Sequence, residues 1–397
     1  MRRRMVVLAA VALAVLGALG GWSVTAAGEE AATKADKKAP DQVRVDLSPY
    51  RPQYDTLEFS QDNKYVCVWL RLRSVTGDYN KEPARVVVFD VAGRAVSEAV
   101  DAEGFLQGRF ADLFPRTSWR TRFAEFIKDA YGWGFSRDFK MGLRFVNPRN
   151  PDGTPAAPNY PSTKTWSAEL WRLDGEGKRL WASDVEMFQT GGCMESGVVD
   201  FFQWQGKEYV LFAFSGQEGY VLSREDGKVV EEFTYGHIET TEEMAANKNK
   251  WHLGLDDSDP SLRFRASALS FDPCRRLLAC GGSNGRRVRV VSAVPPHETV
   301  FEAHTGESPF NWWRGWWSVR RVEFAGGKYL IADYDCAGRI GLGTLEPTEI
   351  FDVETWKVVW SKDSLDIRRV SLSPDGKLIA FIEKGILKIE PFRPSGK

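Results

Sequence analysis

The repeat that decides the fold is clearest near the carboxyl terminus, where the chain reads Val370-Ser371-Leu372-Ser373-Pro374-Asp375-Gly376-Lys377-Leu378-Ile379-Ala380-Phe381. Apolar residues alternate on both sides of a central turn, as they do in two antiparallel strands with one buried face. In the turn, Pro374 presets φ and Gly376 supplies a left-handed backbone conformation. Residues 370–381 therefore predict a β-hairpin.

Less regular copies of this hairpin recur along the chain, at 57–66, 268–279 and 322–330. In the first copy Asn63 stands where Gly376 stood, and asparagine is among the few residues that tolerate a left-handed conformation. Further hairpins, each with an acidic or glycine-containing turn, occur near 88–93, 173–178, 225–230 and 351–359. Two consecutive hairpins predict a four-stranded antiparallel blade, the unit of a β-propeller.

Six strand groups predict an all-β, six-bladed β-propeller, and a seventh blade is the alternative count. The groups begin near Asp55, Tyr131, Val198, Phe264, Val319 and Ile367. The last group has only three strands and ends at 385–389, whereas the alternating segment 42–47 has no blade of its own. We expect 42–47 to supply the missing strand and close the ring, because closure removes exposed strand edges. Short helices are predicted within the loops, at 119–130 and 239–250.

The repeats resemble known propeller families. The hairpin at 370–381 looks like the WD40-like repeat of TolB-type propellers, and 269–291 looks like an ordinary WD40 repeat. The Trp-Asp dipeptide that names the WD40 family does not occur in the chain. The resemblance implies the architecture over 42–392 but no particular function, because this superfamily is a scaffold for many activities.

The amino terminus has the features of an export signal. Three arginines at 2–4 precede an apolar run over 6–19, and small residues follow at 24–27. We predict a signal peptide over 1–27, a flexible tether over 28–41, one propeller domain over 42–392 and a tail over 393–397. Cleavage would leave no stable membrane span and would place the protein in the periplasm or outside the cell. A retained anchor is the alternative, since a spanning helix needs roughly 18 to 20 apolar residues.

Composition and charge restrict the class of partner. The 397-residue chain is 43% hydrophobic and 27% charged, which suits a globular protein with a sizeable core. Removal of the three leader arginines takes the formal net charge from −1 to −4, which argues against nucleic acid. The five cysteines are odd in number, and Cys280 with Cys336 is the pair to test for a disulfide.

The loops predict which end of the propeller is functional. In a meander of strands A, B, C and D, the A–B and C–D turns share one end of the blade, and the B–C and D–A connections share the other. The long connections are all of the B–C or D–A kind: 74–84, 97–130, 147–163, 235–263, 304–318 and 334–346. Loops on a rigid scaffold carry most binding residues, so we predict that a partner binds this face.

The candidate binding residues on this face are mostly aromatic or basic: Trp312, Trp313, Arg314, Trp316, Trp317, Tyr131, Trp133, Trp251, His252 and His304. Trp and Arg carry much of the energy at protein interfaces, and Trp rings also stack on sugars. The alternative is that these rings fill grooves between the blades, a choice that also applies to the phenylalanines at 105–114. For the helical stripe that includes Phe123 and Phe126 we favour packing, on top of the propeller.

The sequence contains few patterns typical of catalysis or metal binding. The histidines at 237, 252, 297 and 304 lack ligand spacing, and the acidic stretch at 256–259 is more typical of a solvated loop than of a calcium site. We therefore predict a monomeric, non-catalytic binding protein for a protein, peptide or glycan, with no catalytic residue, metal or resident cofactor.

A propeller enzyme is the alternative function. Residues 173–181 and 351–360 both end in Trp and look like the repeats of PQQ-dependent quinoprotein dehydrogenases. That resemblance implies a quinone cofactor with calcium, and no ligand set for either can be assigned residue by residue in this sequence.

Overall fold

The computed structural model describes residues 42–47, 52–72, 84–101, 104–105, 108–114, 123, 126, 130–136, 138–146, 164–174, 177–187, 198–213, 218–235, 266–282, 287–304, 316–337, 348–362 and 367–395. Within these residues, 24 strands form six four-stranded antiparallel sheets. One short 3-10 helix covers Ala111–Leu113. No helix in the described part of the chain is both long and apolar enough to cross a bilayer.

Each sheet is one blade of the predicted propeller. Strand β1 (Val43–Asp46) comes first in the chain and belongs to blade 6. Blade 1 contains β2 (Pro52–Phe59), β3 (Tyr65–Leu72), β4 (Ala84–Asp90) and β5 (Ala95–Asp101). Blade 2 contains β6 (Ala130–Phe135), β7 (Met141–Val146), β8 (Lys164–Arg172) and β9 (Lys178–Met187). Blade 3 contains β10 (Val198–Trp204), β11 (Lys207–Ala213), β12 (Glu218–Ser223) and β13 (Val229–Thr234).

The remaining blades follow the same plan. Blade 4 contains β14 (Ala266–Asp272), β15 (Leu277–Gly282), β16 (Arg287–Ser292) and β17 (Thr299–His304). Blade 5 contains β18 (Trp316–Ala325), β19 (Tyr329–Ala337), β20 (Thr348–Asp352) and β21 (Val358–Lys362). Blade 6 contains β22 (Ile367–Leu372), β23 (Leu378–Glu383) and β24 (Ile386–Pro391), completed by β1. The predicted six blades are confirmed, and their first strands begin within a few residues of the predicted positions.

Strand β1 closes the ring as predicted. It pairs antiparallel with β24, with Val43 opposite Ile389 and Asp46 opposite Ile386. The N–H of Leu47 donates to the carbonyl of Gly385 at 2.8 Å, which continues the pairing beyond the strand. The outer edge of blade 6 is therefore covered by a strand from the other end of the chain.

The first strand of each blade lies innermost in the ring. Contacts join β22 to β2, β6 to β10, β10 to β14, and β14 to β18. The hydrophobic core is divided among the seams between adjacent blades, where the apolar faces of two sheets meet. Because successive strand residues point to opposite faces, each blade contributes to the core on both of its sides.

Three of the inner hairpins are held by the same serine and aspartate turn. The Ser373 hydroxyl donates to Asp375 Oδ1 at 2.7 Å and accepts from the N–H of Leu378 at 2.9 Å. The turns at 60–65 and 136–141 repeat both bonds. The left-handed position is taken by Gly376, Asn63 and Phe139, with φ of 69°, 60° and 56°. The predicted left-handed conformation of Asn63 is confirmed. The turn at 136–141 was not recognised in the sequence, because the bulky Phe139 occupies the left-handed position.

The seam between blades 1 and 2 is packed with phenylalanine side chains. Buried phenylalanines come from the connection between the two blades: Phe105, Phe110, Phe114, Phe123 and Phe126. For Phe105, Phe110 and Phe114, this is the packing between blades that the sequence left open as an alternative. For Phe123 and Phe126, packing is confirmed, but the predicted position on top of the propeller is wrong. The ring centroids of Phe110 and Tyr65 are 5.0 Å apart, and those of Phe123 and Phe135 are 5.2 Å apart. Both contacts lie beside A–B turns. The described parts of the connection therefore lie between the blades, whose facing surfaces are apolar.

Neither Cys274 nor Cys280 forms a disulfide. Cys67 and Cys280 are buried and Cys274 is exposed. Burial raises the pKa of the Cys280 thiol, so this group stays protonated and behaves as a small apolar side chain. The pair considered between Cys280 and Cys336 is not formed.

Candidate functional site

The strand order gives the ring two unlike ends. All A–B and C–D turns lie at one end, which we call the short-turn end; the longest of them covers 293–298. The B–C and D–A connections start and finish at the other end, which we call the long-loop end. They include 73–83, 147–163 and 235–265, which are almost wholly outside the described residues. The predicted division of the loops is confirmed, apart from the part of 102–129 that enters the seam between blades 1 and 2.

The predicted site residues fall into three groups. Five lie outside the described residues: Trp251, His252, Trp312, Trp313 and Arg314. Four have their backbone in strands that meet the long-loop end: Tyr131 in β6, His304 in β17, and Trp316 and Trp317 in β18. Trp133 is half-buried further along β6, where it is paired with Arg144. Trp133 is in phase with Phe135, so the two side chains project from the same face of β6.

The inner strands share an irregularity in the half that is nearer the long-loop end. In five of the six blades, the pairing between the first and second strands skips one residue of the first strand. We call these positions the bulge ring: Asp55, Tyr131, Ser267, Arg320 and Arg369. A β-bulge twists its strand and re-aims the extra residue, and bulges are common beside functional sites. The bulge ring lies on the inner strands of five blades, in the halves nearer the mouth of the propeller at the long-loop end.

A charged network next to the bulge ring joins blades 5 and 6. Arg321 on β18 donates from Nε to Glu323 Oε2 at 3.0 Å and from Nη1 to Asp333 Oδ2 at 3.2 Å. Its Nη1 also donates to the carbonyl of Val370 on β22 at 2.6 Å. Burial alone would lower the pKa of Arg321, but the two carboxylates outweigh it and raise the pKa. Arg321 therefore remains a cation that ties two inner strands together.

A second ionic contact joins the same blades further from the axis. Glu383, the last residue of β23, forms a salt bridge with Lys362 at 2.9 Å and another with Lys388. Lys362 is the last residue of β21, so both strands end together at the long-loop end. The hydrogen bond from Lys388 and the charge of Lys362 lower the pKa of Glu383 to about 2, although burial opposes them. The carboxylate is therefore ionised throughout the neutral range.

Blade 3 places a buried carboxyl group at the long-loop end. Glu218 is the first residue of β12 and is 2% exposed. It accepts a hydrogen bond from the Tyr220 hydroxyl at 2.8 Å. Burial raises the pKa of Glu218 and the charge of Glu232 adds to this, whereas the bond from Tyr220 acts against it. Glu218 consequently holds a proton more readily than an exposed glutamate.

The segments that resemble quinoprotein repeats place their tryptophans between blades. Trp181 Nε1 donates to the carbonyl of Arg224 in blade 3 at 2.8 Å. The ring of Trp360 lies against that of Phe381 in blade 6, with ring centroids 6.2 Å apart. No group of three acidic, histidine or cysteine residues in the described ranges is arranged to hold a metal ion. The acidic stretch at 256–259 lies outside those ranges.

Sequence reasoning missed Arg320, Arg321 and Arg369. A signal for them exists, because Val319-Arg320-Arg321-Val322 recurs as Ile367-Arg368-Arg369-Val370 before the next inner hairpin. Adjacent arginines inside an apolar strand pattern conflict with the expected alternation. Such a conflict, repeated in consecutive blades, indicates a special position.

Comparisons with known proteins add only a distant likeness. No protein-family model matches the chain, and no curated protein matches it in sequence. Among solved structures, the chain is similar to the β-propeller domain of Cps50 (Swd1) from Myceliophteria thermophila, with a TM-score of 0.42 and 10% identity over 86% of this chain and 97% of that one. The propeller assignment itself rests on the order and pairing of the strands.

Proposed function

We propose that this protein is a binding module whose partner docks on the long-loop end of the propeller, across the bulge ring. The bulge ring is the observation that carries the proposal. Five inner strands depart from regular pairing in the half that is nearer the long-loop end, and buried charged groups lie beside two of those departures. Irregular strands cost stability, so their recurrence at one end supports a role for that end.

The short-turn end is less suited to recognition. Its aspartates serve their own turns: Asp62, Asp138 and Asp375 each accept from a serine hydroxyl and from a lysine N–H. Groups that are already bonded within a turn gain little from a partner. The contrast favours the long-loop end as the docking surface.

The proposed partner is a protein, a peptide or a glycan, and the proposed role is non-catalytic. The arginine-led apolar leader at 1–27 supports an exported protein that acts in the periplasm or outside the cell. The aromatic and basic residues predicted near the mouth, among them Tyr131, suit recognition of such partners.

Site-specific photo-crosslinking in the native cell tests the docking surface. p-Benzoylphenylalanine is placed at Tyr131 in one variant and at Lys140 in a second. Both positions belong to the hairpin of β6 and β7, but Tyr131 lies towards the long-loop end and the exposed Lys140 lies in the A–B turn. We expect a discrete crosslinked product from position 131 alone, with equal thermal stability of the two variants. A product from position 140 alone, or equal products from both, would contradict the proposal.

A further inference from the structure

We infer that the outer side of blades 3 and 4 binds a basic linear segment of a partner protein, which lies across Val230 and Val300. The inference goes beyond the proposed function, because this surface lies on the circumference of the ring and not at the long-loop end. It rests on the fourth strand of each blade, which is the outermost, and on a segment of this chain that binds one of those strands.

The outermost strands share an irregularity close to the C–D turns. In blades 1 to 5, the pairing between the third and fourth strands skips one residue of the fourth strand. We call these residues the outer bulges: Ser97, Leu180, Val230, Val300 and Val359. A bulge on an edge strand interrupts the row of groups with which another strand would pair, so these edges do not favour the addition of a regular strand.

Three consecutive outer bulges expose an apolar side chain. In the described part of the chain, the exposed large apolar residues are Leu180, Val229, Val230 and Val300, at 43%, 40%, 43% and 45%. All of them lie on the outermost strands of blades 2, 3 and 4, and three of them are outer bulges. A single exposed apolar residue is ordinary, but its repetition at one position in neighbouring blades indicates a surface that a partner covers.

Blade 5 shows how a linear segment binds at such a position. Its outer bulge, Val359, is only 9% exposed. The carbonyl of Val359 accepts from the N–H of Ser395 at 2.7 Å and from the Ser395 hydroxyl at 2.8 Å. Three residues earlier, Phe392 donates its N–H to the carbonyl of Lys377 in blade 6 and is buried against Tyr329 of blade 5. A segment outside the strands therefore crosses from one blade to the next and binds an outer bulge.

The charges on the outer side of blades 3 and 4 favour a basic occupant. Residues 224–234 contain four acidic and two basic residues, and 297–304 contain two acidic residues and no lysine or arginine. The side chains of Glu225, Glu232 and Glu298 are exposed, beside or within the two outermost strands. A positively charged segment would therefore be attracted to this surface and oriented on it.

The two basic residues of 224–234 already have acidic partners within blade 3. Arg224 forms a salt bridge with Glu208, and Lys228 forms one with Asp226 at 2.7 Å. These pairs leave the exposed glutamates to act on a partner.

Blade 2 limits the basic segment to blades 3 and 4. Lys178 and Arg179 come directly before Leu180, so the apolar surface continues there without the acidic charge. The predicted occupant resembles the chain's own 392–397, in which an apolar residue is followed by arginine, proline, serine and, at the end, lysine.

The test uses purified protein and a fluorescently labelled peptide that contains the sequence of 392–397 twice. In a second peptide, glutamate replaces every arginine and lysine. The variant Val230→Lys/Val300→Lys places a charge on both outer bulges. The matched control Ala95→Lys/Ser97→Lys adds the same charge at exposed positions on the outermost strand of blade 1. Binding is followed by fluorescence anisotropy.

The variant Val230→Thr/Val300→Thr keeps the shape and the strand preference of valine and removes its apolar character. It changes no charge, so it separates the apolar contact from electrostatic repulsion. It also tests the surface if the lysine variant does not fold.

We expect the wild type to bind the basic peptide about tenfold more tightly than the acidic one. Relative to the wild type, binding of the basic peptide should weaken about tenfold in Val230→Lys/Val300→Lys and about threefold in Val230→Thr/Val300→Thr. The blade 1 control should stay within about twofold of the wild type. Equal losses in the two lysine variants, unchanged binding in the threonine variant, or equal affinity for both peptides would overturn the inference.

Sedimentation of the wild type without peptide separates a partner protein from a second copy of this chain. A dimer that dissociates in Val230→Lys/Val300→Lys would assign the surface to a second copy and overturn the inference, whereas a monomer agrees with it. None of these measurements involves the long-loop end. Their failure would leave the proposed function in place, and a crosslink that contradicts the proposed function would leave this surface in place.

Discussion

The two ends of the ring join neighbouring blades by different means. At the short-turn end, a C–D turn packs against an aromatic residue from the last strand of the preceding blade. The Trp181 ring lies against Gly227 of the next turn, and Phe301 stacks on Trp356 with ring centroids 4.7 Å apart. At the long-loop end, blades 5 and 6 are joined instead by the ion pair of Lys362 with Glu383. Nearer the middle of the inner strands, the charged group of Arg321 joins the same two blades.

This difference teaches that one ring can be held by shape at one end and by charge at the other. Contacts made by stacked rings depend on volume and tolerate changes of pH and salt. Contacts made by buried charges depend on ionisation and on every partner being present. Substitutions should therefore reveal opposite sensitivities at the two ends, even though both belong to one closed ring of sheets.

The largest effect is expected at Arg321. Arg321→Met leaves Glu323 and Asp333 without their cation, and the Asp333 side chain is only 11% exposed. Removal of one partner from a buried ion pair leaves an uncompensated charge, so we expect the free energy of unfolding to fall by about 3 kcal/mol. Urea denaturation measures the change, and Arg320→Met, one residue away and exposed, serves as the control. Similar losses in both variants would show that the network contributes nothing specific.

A smaller loss is expected at the short-turn end from Gly227→Ala. A Cβ atom at Gly227 would lie 2.6 Å from the Trp181 ring, and the backbone has φ of +74°. Strain and crowding together should cost about 2 kcal/mol. Gly177→Ala is a matched control, because Gly177 has φ of +73° with only the carbonyl of Arg172 near, at 4.0 Å. Gly177→Ala should lower the free energy of unfolding by about 1 kcal/mol. If thermal denaturation showed equal losses for Gly177→Ala and Gly227→Ala, close packing of Trp181 on Gly227 would not contribute to stability.

The serine turns give the next effect in size. Ser373→Ala removes the acceptor of the Leu378 N–H and the donor to Asp375. Because Ser373 is fully buried, we expect the free energy of unfolding to fall by about 1 kcal/mol. Lys377→Ala in the same turn is exposed and should change little. A loss from Lys377→Ala as large as that from Ser373→Ala would show that the hydroxyl group is not what holds the turn.

The fold could be predicted because its signals are local and repeated. The hairpin at 370–381 shows its turn residues and its alternation within a dozen positions. Ring closure could be predicted by counting strands, because the last group had only three predicted strands and the alternating segment 42–47 belonged to no other blade. The turn at Phe139 escaped because a bulky residue occupies a left-handed position, which its stacking on Phe135 at 5.6 Å helps to stabilise.

The candidate site could be predicted only in part, because its determinants are relations between distant residues. Tyr131 was predicted from its aromatic ring and its loop, and it does belong to the bulge ring. Arg320 and Arg369 were missed because a β-bulge is a shift in the pairing of two strands, and no residue type at the position predicts it. The bond from Arg321 to Val370 spans 49 positions and two blades, so it appears only once the ring is assembled.

The smallest effect, and the one that depends on pH, is expected at Glu383. Its pKa is lowered from 4.5 to about 2 by Lys388 and Lys362. Because the folded state lowers the pKa, the ionised carboxylate stabilises the fold above pH 4.5, and that contribution is lost as the pH falls towards 2. Glu383→Gln should therefore lower the free energy of unfolding by about 0.5 kcal/mol at pH 7 and by progressively less below about pH 4.5.

Urea denaturation of the wild type and of Glu383→Gln at about pH 7, 4 and 2.5 measures this difference. Gly177→Ala carries no charge change, so its cost should stay constant over the same range and provides the reference from the short-turn end. A cost of Glu383→Gln that is equally independent of pH would mean that Glu383 acts through its shape and hydrogen bonds alone. The contrast between the two ends would then rest on Arg321, whose charge does not titrate over this range.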